Sequence, residues 1–199
     1  MKNLSAEHNI SDQRRIYTEL FKQYGNDTRS LHWNNEQTQA LRFKQLLRAQ
    51  DFKGGTLLDI GCGLGDLYAF LQSEKIGVNY LGIDIVPPFI AHAKRRFMSA
   101  RFELRNILNT PLCEHFDYVF ASGLFAFANR DFFVEMSKTA FKVAKKAWIF
   151  NLYTPNGDDP RFLDISYKEA IGNIKSLMPS FIEVKTDYLD RDTTYFVYR

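Results

Sequence analysis

From Thr56 onward, short apolar runs of strand length alternate with amphipathic segments, and this alternation constrains the fold more than any other feature. Strands are predicted at residues 56–60, 80–84, 101–104, 118–121, 147–152, 181–186 and 194–198. Helices are predicted at residues 66–73, 88–97, 130–144 and 167–177. Strands that alternate with helices form a parallel sheet with helices on both faces. The last two strands, joined by a turn-rich segment, predict an antiparallel hairpin at the sheet edge.

The residues before this region predict a helical extension, residues 1–50, ahead of a domain that spans residues 51–199. Ser11 fits an N-cap and Gly25 fits a stop for a first helix, whose apolar stripe includes Ile16 and Leu20. A second helical stripe follows at residues 40–47. Because no repeat or flexible linker separates the two parts, one compact unit is expected overall.

Composition excludes several classes of protein. The 199 residues are 45% hydrophobic and 25% charged, which is enough for a core that needs neither disulfides nor metal. Cys62 and Cys113 lack metal-binding spacing, so no metal site is predicted, and two isolated cysteines favour a reducing, cytoplasmic compartment. No secretory signal and no apolar run of about 18 residues are seen, so no membrane association is expected.

The strongest local signal is a turn with three glycines at alternate positions. Gly61, Gly63 and Gly65 follow the apolar run that ends at Ile60 and precede a predicted helix. Glycines at such a turn let the backbone and the helix N-terminus come close to a ligand. Asp84 ends the next apolar run, and a carboxylate at the tip of a second strand can accept both hydroxyls of a ribose. The combination predicts a nucleoside-binding site.

The details of this turn narrow the choice of nucleoside. A dinucleotide site prefers G-x-G-x-x-G, but Asp66 occupies the position of its third glycine. Asp59 would place a negative charge where phosphates prefer none, and it suits a ligand that carries an ammonium group. The turn therefore favours a cationic amino-acid nucleoside and disfavours a nicotinamide oxidoreductase.

The run LLDIGCGLGDL, followed by LGIDI, resembles motif I and the next acidic motif of class I S-adenosylmethionine-dependent methyltransferases. The resemblance covers about residues 56–199. It implies that the chain belongs to the α/β class and has a three-layer α/β/α Rossmann-like methyltransferase fold. Its seven-stranded, mostly parallel sheet has the order 3-2-1-4-5-7-6, with strand 7 antiparallel. It also implies S-adenosyl-L-methionine as the cofactor and S-adenosyl-L-homocysteine as the product.

The resemblance assigns cofactor-binding roles to residues of the predicted site. The first turn is expected to surround the methionine part of the cofactor with Asp59, Gly61, Cys62, Gly63 and Gly65. The remaining contacts are expected from Asp84 at the ribose, from Ile85, Asn106 and Ile107 at the adenine, and from Ser122 at the border of cofactor and acceptor. Asn106 stands where many members have an acidic residue, and its carbonyl oxygen can still accept from the adenine amine.

Candidate catalytic groups are few. The segment after the fourth strand, ASGLF, lacks the proline-rich motif of nucleobase amino methyltransferases, and no Pro-Cys nucleophile is present. Direct in-line transfer is therefore predicted, with His32 and Tyr153 as candidate bases. In small-molecule members the N-terminal extension often folds over the cofactor as a lid, which makes Trp33 and Arg42 candidate contacts. Arg42 would pair with the cofactor carboxylate.

These observations predict a methyltransferase that acts on an oxygen or nitrogen atom of a small-molecule acceptor. An RNA or protein methyltransferase is the alternative if the basic clusters at residues 94–96 and 145–146 converge near the pocket. With a net charge of +3 and only short basic clusters, a nucleic-acid partner is disfavoured. A module that binds the cofactor without transferring its methyl group also stays open.

Overall fold

Helices and strands follow one another in the order that the sequence predicts. The computed structural model describes residues 4–32, 36–48, 52–154 and 161–199. The helices are α1 (Leu4–Tyr24), a 3-10 helix (Thr28–Leu31), α2 (Glu36–Leu47), α3 (Asp66–Ser73), α4 (Pro87–Arg96), α5 (Arg130–Val143) and α6 (Tyr167–Lys175). The strands are β1 (Thr56–Ile60), β2 (Asn79–Asp84), β3 (Arg101–Leu104), β4 (Phe116–Ala121), β5 (Ala144–Tyr153), β6 (Phe181–Lys185) and β7 (Asp192–Tyr198).

The strands form one seven-stranded sheet of order β3-β2-β1-β4-β5-β7-β6. All neighbouring pairs from β3 to β5 are parallel, whereas β7 runs antiparallel to both β5 and β6. This order and these directions confirm the predicted Rossmann-like methyltransferase fold. The predicted terminal hairpin is also confirmed, with β6 at the sheet edge and β7 inserted beside β5.

Both faces of the sheet are covered, because successive side chains of a strand point to opposite faces. In β1, Leu58 and Ile60 belong to the core on one face, and Leu57 belongs to the core on the other. The sequence of a strand that is buried on both faces is a nearly continuous apolar run, and β1 has this pattern. Asp59 interrupts that run as a buried carboxylic acid.

The first helix begins earlier than predicted. Ser11 is not an N-cap but an exposed residue within α1, which starts at Leu4. The physical reason is tertiary, because the additional turns bury Ala6 and Ile10 and let the Asn9 amide donate to the carbonyl of Phe127 at 2.9 Å. The predicted stop is confirmed, since α1 ends at Tyr24 and Gly25 follows with φ +59°.

The N-terminal helices lie against the rest of the chain. α1 contacts α4 and α5, and α2 contacts α3, β5 and β7. The predicted boundary near residue 50 falls in residues 49–51, outside the described residues, so the division into residues 1–50 and 51–199 stays a prediction. None of the helices in the described ranges has the length and apolar character needed to cross a membrane.

Candidate active site

A cavity opens at the carboxyl ends of β1, β2 and β4, where open parallel sheets bind their ligands. It encloses about 910 Å3, part of which is open to solvent. Nine of the residues predicted to bind a cofactor line it: Asp59, Gly61, Cys62, Gly63, Asp84, Ile85, Asn106, Ile107 and Ser122. The fold therefore brings together side chains that the sequence spreads over more than sixty positions.

The glycine turn, residues 61–65, is held by the neighbouring strand. The backbone N–H groups of Gly61 and Cys62 both donate to the carbonyl of Ile83, at 2.8 and 3.1 Å. Gly63 has φ +53°, and a Cβ there would lie 2.7 Å from Cδ2 of Leu31. Glycine is thus required at position 63, both because the backbone there has a positive φ and because the Leu31 side chain leaves no room for a Cβ.

Gly65 has a different environment from the other two glycines. It is not among the residues that line the cavity. A Cβ at Gly65 would lie 3.0 Å from Phe97 and 3.1 Å from Phe102, at the start of α3. The structure thus gives Gly65 a role in close helix–sheet packing, and its predicted contact with the cofactor stays a prediction.

Asp84 is fixed at the tip of β2 by two backbone donors. The N–H of Gly63 donates to Oδ2 and the N–H of Val86 donates to Oδ1, both at 2.9 Å. Burial raises the pKa of Asp84 to about 6, although the hydrogen bonds from Val86 and Gly63 oppose this shift. Each carboxylate oxygen keeps a further lone pair, so two hydroxyl groups of a ligand can still donate to Asp84.

Asp59 has a partner that sequence reasoning missed. The hydroxyl of Tyr80 donates to Oδ2 of Asp59 at 2.6 Å, and the carboxyl group is only 2% exposed. Burial raises the pKa of Asp59 to about 7, with the Tyr80 hydrogen bond opposing and the charges of Asp84 and Asp66 adding to the shift. A cationic group in the cavity would favour ionised Asp59.

The side chains that follow β3 and β4 form an apolar end of the cavity. Ile107, Leu124, Phe132 and Met136 line it. The Ser122 hydroxyl lies in this wall, buried and without a hydrogen-bond partner among the described residues, so it can bond a ligand. Asn106, by contrast, uses Oδ1 to accept from the backbone N–H of Leu108 at 3.1 Å.

The N-terminal helices cover the cavity. We define the roof as the six side chains from this region that line the cavity: Ile10, Gln13, Tyr17, Leu31, Gln39 and Phe43. Sequence reasoning placed Tyr17 and Phe43 on the apolar stripes of the two helices, but it assigned none of the six side chains to the cavity. One signal was available, since Ile10, Gln13 and Tyr17 have the i, i+3, i+7 spacing of a single helix face.

The two candidate bases lie together, but outside the cavity lining. The ring centroid of His32 is 4.9 Å from that of Phe127 and 5.7 Å from that of Phe162. Tyr153 also contacts Phe162, with the two ring centroids 6.0 Å apart. Their catalytic role stays a prediction. Trp33, the other predicted contact in this region, lies outside the described residues.

Arg42 lies in a buried polar network rather than in the cavity lining. Its Nε donates to Asp192, which also accepts from the Tyr188 hydroxyl. The Asn151 amide donates to Oδ1 of Asp192 at 3.1 Å and accepts from the N–H of Gly123 at 3.0 Å. The network links α2, through β7 and β5, to the loop that lines the cavity. The predicted pairing of Arg42 with a cofactor carboxylate is replaced here by this ion pair.

The geometry agrees with comparisons to known proteins. Residues 57–147 match the family model described as Methyltransferase domain. A structure of DhpI in complex with SAM and HEP has a TM-score of 0.70 and 15% identity, with 100% of each chain covered. Magnesium protoporphyrin IX methyltransferase from Synechocystis, with bound SAH, has a TM-score of 0.66 and 14% identity over 92% of this chain and 99% of that one.

A third similar structure is an S-adenosylmethionine-dependent methyltransferase from Clostridium acetobutylicum, with a TM-score of 0.64 and 14% identity over 92% of this chain and 98% of that one. Among curated proteins, no sequence relative matches the chain. The strand order, the glycine turn with Asp84 and the family match over residues 57–147 all point to the same class. The chain has the fold of class I S-adenosylmethionine-dependent methyltransferases, and residues 57–147 match the Methyltransferase domain family.

Proposed function

We propose that this enzyme transfers a methyl group from S-adenosyl-L-methionine to an oxygen or nitrogen atom of a small-molecule acceptor by direct in-line transfer. The observation that carries the proposal is the cavity of about 910 Å3, in which glycine turn, buried carboxyl groups and apolar walls lie together beneath the roof. Mostly apolar cavities with a few placed polar groups are typical of small-molecule sites.

The residues of the cavity fit the cofactor. The glycine turn leaves space beside the backbone, Asp59 suits the ammonium group, and Asp84 can accept from the ribose hydroxyls. Ile85 and Ile107 supply apolar surface for the base. When bound, the cofactor supplies a methyl group that its positively charged sulfur makes electrophilic.

The chain contributes orientation and exclusion of water. Leu31 and Phe43 of the roof shield the cavity from solvent, and the buried hydroxyl of Ser122 is available to orient a ligand at the border of cofactor and acceptor. Orientation alone accelerates such a transfer strongly. His32 and Tyr153, which both contact Phe162, are the proposed bases for an acceptor that must lose a proton.

The basic clusters argue against a nucleic-acid or protein acceptor. Lys145 and Lys146 lie at the amino end of β5, the end of the sheet opposite the cavity. Arg96 is near the glycine turn, but it bonds to Asp66 at 2.5 Å and to the carbonyl of Leu64 at 3.3 Å. The residues that line the cavity include none of these three and neither Lys94 nor Arg95, which supports a small-molecule acceptor. The similar magnesium protoporphyrin IX methyltransferase is named for a small molecule.

The acceptor class can be tested by following a labelled methyl group. Purified enzyme is incubated with S-adenosyl-L-methionine carrying a labelled methyl group and with three fractions of a cell extract: small molecules, RNA and protein. We expect label only in the small-molecule fraction. Label in RNA or protein would support the alternative acceptor class and contradict the proposal.

A module that binds the cofactor without transferring the methyl group is distinguished in the same experiment. Such a module would bind S-adenosyl-L-homocysteine in a calorimeter and yet label none of the three fractions. Labelled product that disappears with Asp84→Ala, but not with Asp187→Ala, assigns the transfer to this cavity, because Asp187 is an exposed residue outside it.

A further inference from the structure

Gln13 is a buried amide in the cavity wall that the roles above leave unused. It lies on α1 between Ile10 and Tyr17, lines the cavity and is only 3% exposed. A buried amide needs hydrogen-bond partners, because an unpartnered polar group in a dry environment costs about 1–3 kcal/mol. The question is which of its two polar atoms is available to a ligand.

The orientation of this amide is set by a backbone carbonyl. The carbonyl of Phe127 can only accept, so Asn9 must present its NH2 group there, and it does so at 2.9 Å. Asn9 then presents Oδ1 to Gln13, whose Nε2 donates to it at 2.7 Å. Turning either amide would bring two acceptors or two donors together. The chain of bonds therefore leaves Oε1 of Gln13, an acceptor, for the cavity.

Asn106, the residue expected to accept from the adenine amine, is already engaged. Its Oδ1 accepts from the N–H of Leu108 at 3.1 Å and so fixes the turn after β3. A ligand would have to share that oxygen. Gln13 bonds to Asn9 through its nitrogen, so within the described residues its Oε1 is left as an acceptor.

The position of Gln13 along the cavity matches the base. Ile10, one turn earlier on α1, belongs to the same apolar cluster as Ile107, one of the two residues expected at the base. Tyr17, one turn later, packs with Ile85 against the cluster of Leu64, Val86 and Phe89, beside the tip of β2 where Asp84 lies. Gln13 lies between these two positions on the same helix face.

We propose that Gln13 is a specificity-determining residue, which recognises the 6-amino group of the adenine through Oε1 and thereby selects 6-amino purines over 6-oxo purines. The inference rests on the proposed binding of S-adenosyl-L-methionine in this cavity. A 6-oxo purine would place its oxygen against Oε1, where two acceptors repel each other, and Asn9 prevents the amide from turning to relieve this.

The experiment compares two ligands by calorimetry, S-adenosyl-L-homocysteine and its 6-oxo counterpart, S-inosyl-L-homocysteine. Gln13→Met keeps the volume of the side chain and removes the acceptor. We expect the preference of the wild-type enzyme for the adenosyl ligand to fall about three- to tenfold in this variant. Gln45→Met is the matched control, because Gln45 is a buried glutamine of α2 that does not line the cavity, and it should keep the wild-type preference.

A second variant covers the case in which Gln13→Met does not fold. Asn9→Leu keeps Gln13 but releases its amide, which can then turn an N–H toward the 6-oxo group, so the preference should again fall. An unchanged preference in the folded variants would overturn the inference while leaving the proposed function intact. Failure of the wild-type enzyme to bind either ligand would instead overturn the proposed function and this inference with it.

Discussion

The floor and the roof of the cavity recognise a ligand in different ways. The floor, formed by the glycine turn and Asp84, presents the close-lying backbone of the turn and one carboxylate, which the N–H groups of Gly63 and Val86 hold. The roof uses side chains of α1, the 3-10 helix and α2, which reach the cavity from far away in the chain. The floor is thus made by local conformation, and the roof by packing.

The two regions meet where Leu31 covers Gly63. The helix α2 of the roof is also joined to the sheet by Arg42, which donates to Asp192 of β7. From this comparison we expect the floor to determine which kind of cofactor fits, and the roof to determine how tightly the cavity closes and which groups of the ligand are recognised. Four changes test this division, from the largest expected effect to the smallest.

Asp192→Ala tests whether the roof depends on its anchor in the sheet. The substitution removes a buried carboxylate from Arg42, Asn151 and Tyr188. Breaking a buried ion pair typically costs about 3–5 kcal/mol, so we expect the free energy of unfolding, measured in urea, to fall by about this amount. Asp187→Ala, at an exposed position, should leave stability unchanged. Equal stability of both variants would show that the network does not hold the roof.

The pH dependence of stability tests the floor. Asp59 and Asp84 have pKa values raised to about 7 and about 6, above their unfolded values near 4, because the folded chain buries them. The folded state therefore binds more protons, and the free energy of unfolding of the cofactor-free protein should decrease between about pH 4 and pH 8. For Asp59 alone the expected decrease is on the order of 4 kcal/mol.

Asp59→Asn supplies the comparison for this measurement, because the amide cannot ionise. Urea unfolding at about pH 5 and about pH 8 should show a smaller difference for the variant than for the wild type. The same difference in both proteins would mean that Asp59 is already ionised in the folded state. A bound cation should lower the pKa of Asp59, so cofactor binding should release protons near neutral pH.

Asp84→Ala tests the recognition of the ribose. The variant loses the acceptor for two ligand hydroxyls and also leaves the N–H groups of Gly63 and Val86 without their partner. We expect the affinity for S-adenosyl-L-homocysteine to weaken by about 1–3 kcal/mol. Calorimetry that gives the wild-type affinity would refute the role of Asp84, and Asp187→Ala again serves as the control.

A double-mutant cycle tests the contact between floor and roof. Gly63→Ala adds a Cβ at 2.7 Å from Leu31 and strains a backbone with φ +53°. Leu31→Ala should relieve the steric part but not the strain, so we expect a coupling energy of about 1 kcal/mol in cofactor affinity. Gly172→Ala, with nothing within 4 Å of the new Cβ, should not affect binding. Additive effects would mean that Leu31 moves away from Gly63 when the ligand binds.

The floor could be predicted because its signals are short in sequence. Each signal spans at most a dozen residues: an apolar run, a glycine turn, and a carboxylate at the end of the next strand. The structure places Gly61, Gly63 and Asp84 at one cavity. Gly65 shows where prediction from such short sequence signals fails. It has the same spacing as the others, but its neighbours are Phe97 and Phe102, which come from elsewhere in the chain.

The roof could not be predicted to the same extent. Gln13 and Gln39 look like ordinary polar helix residues, and only the packing of α1 and α2 against the sheet buries them at the cavity. Arg42 was expected at the cofactor for its charge, but a buried carboxylate of β7 competes for that charge. The early start of α1 has the same origin, since it is packing that favours the additional turns.

By itself the sequence determined the order of strands and helices, the methyltransferase-like fold and the residues of the glycine turn with Asp84. It did so because hydrophobic periodicity and glycine conformation act over a few neighbouring residues. Only the tertiary structure decided which side chains close the cavity, which partner Asp59 has and where Arg42 lies. Those outcomes depend on contacts between residues up to 150 positions apart, whose energies are set by burial and not by local pattern.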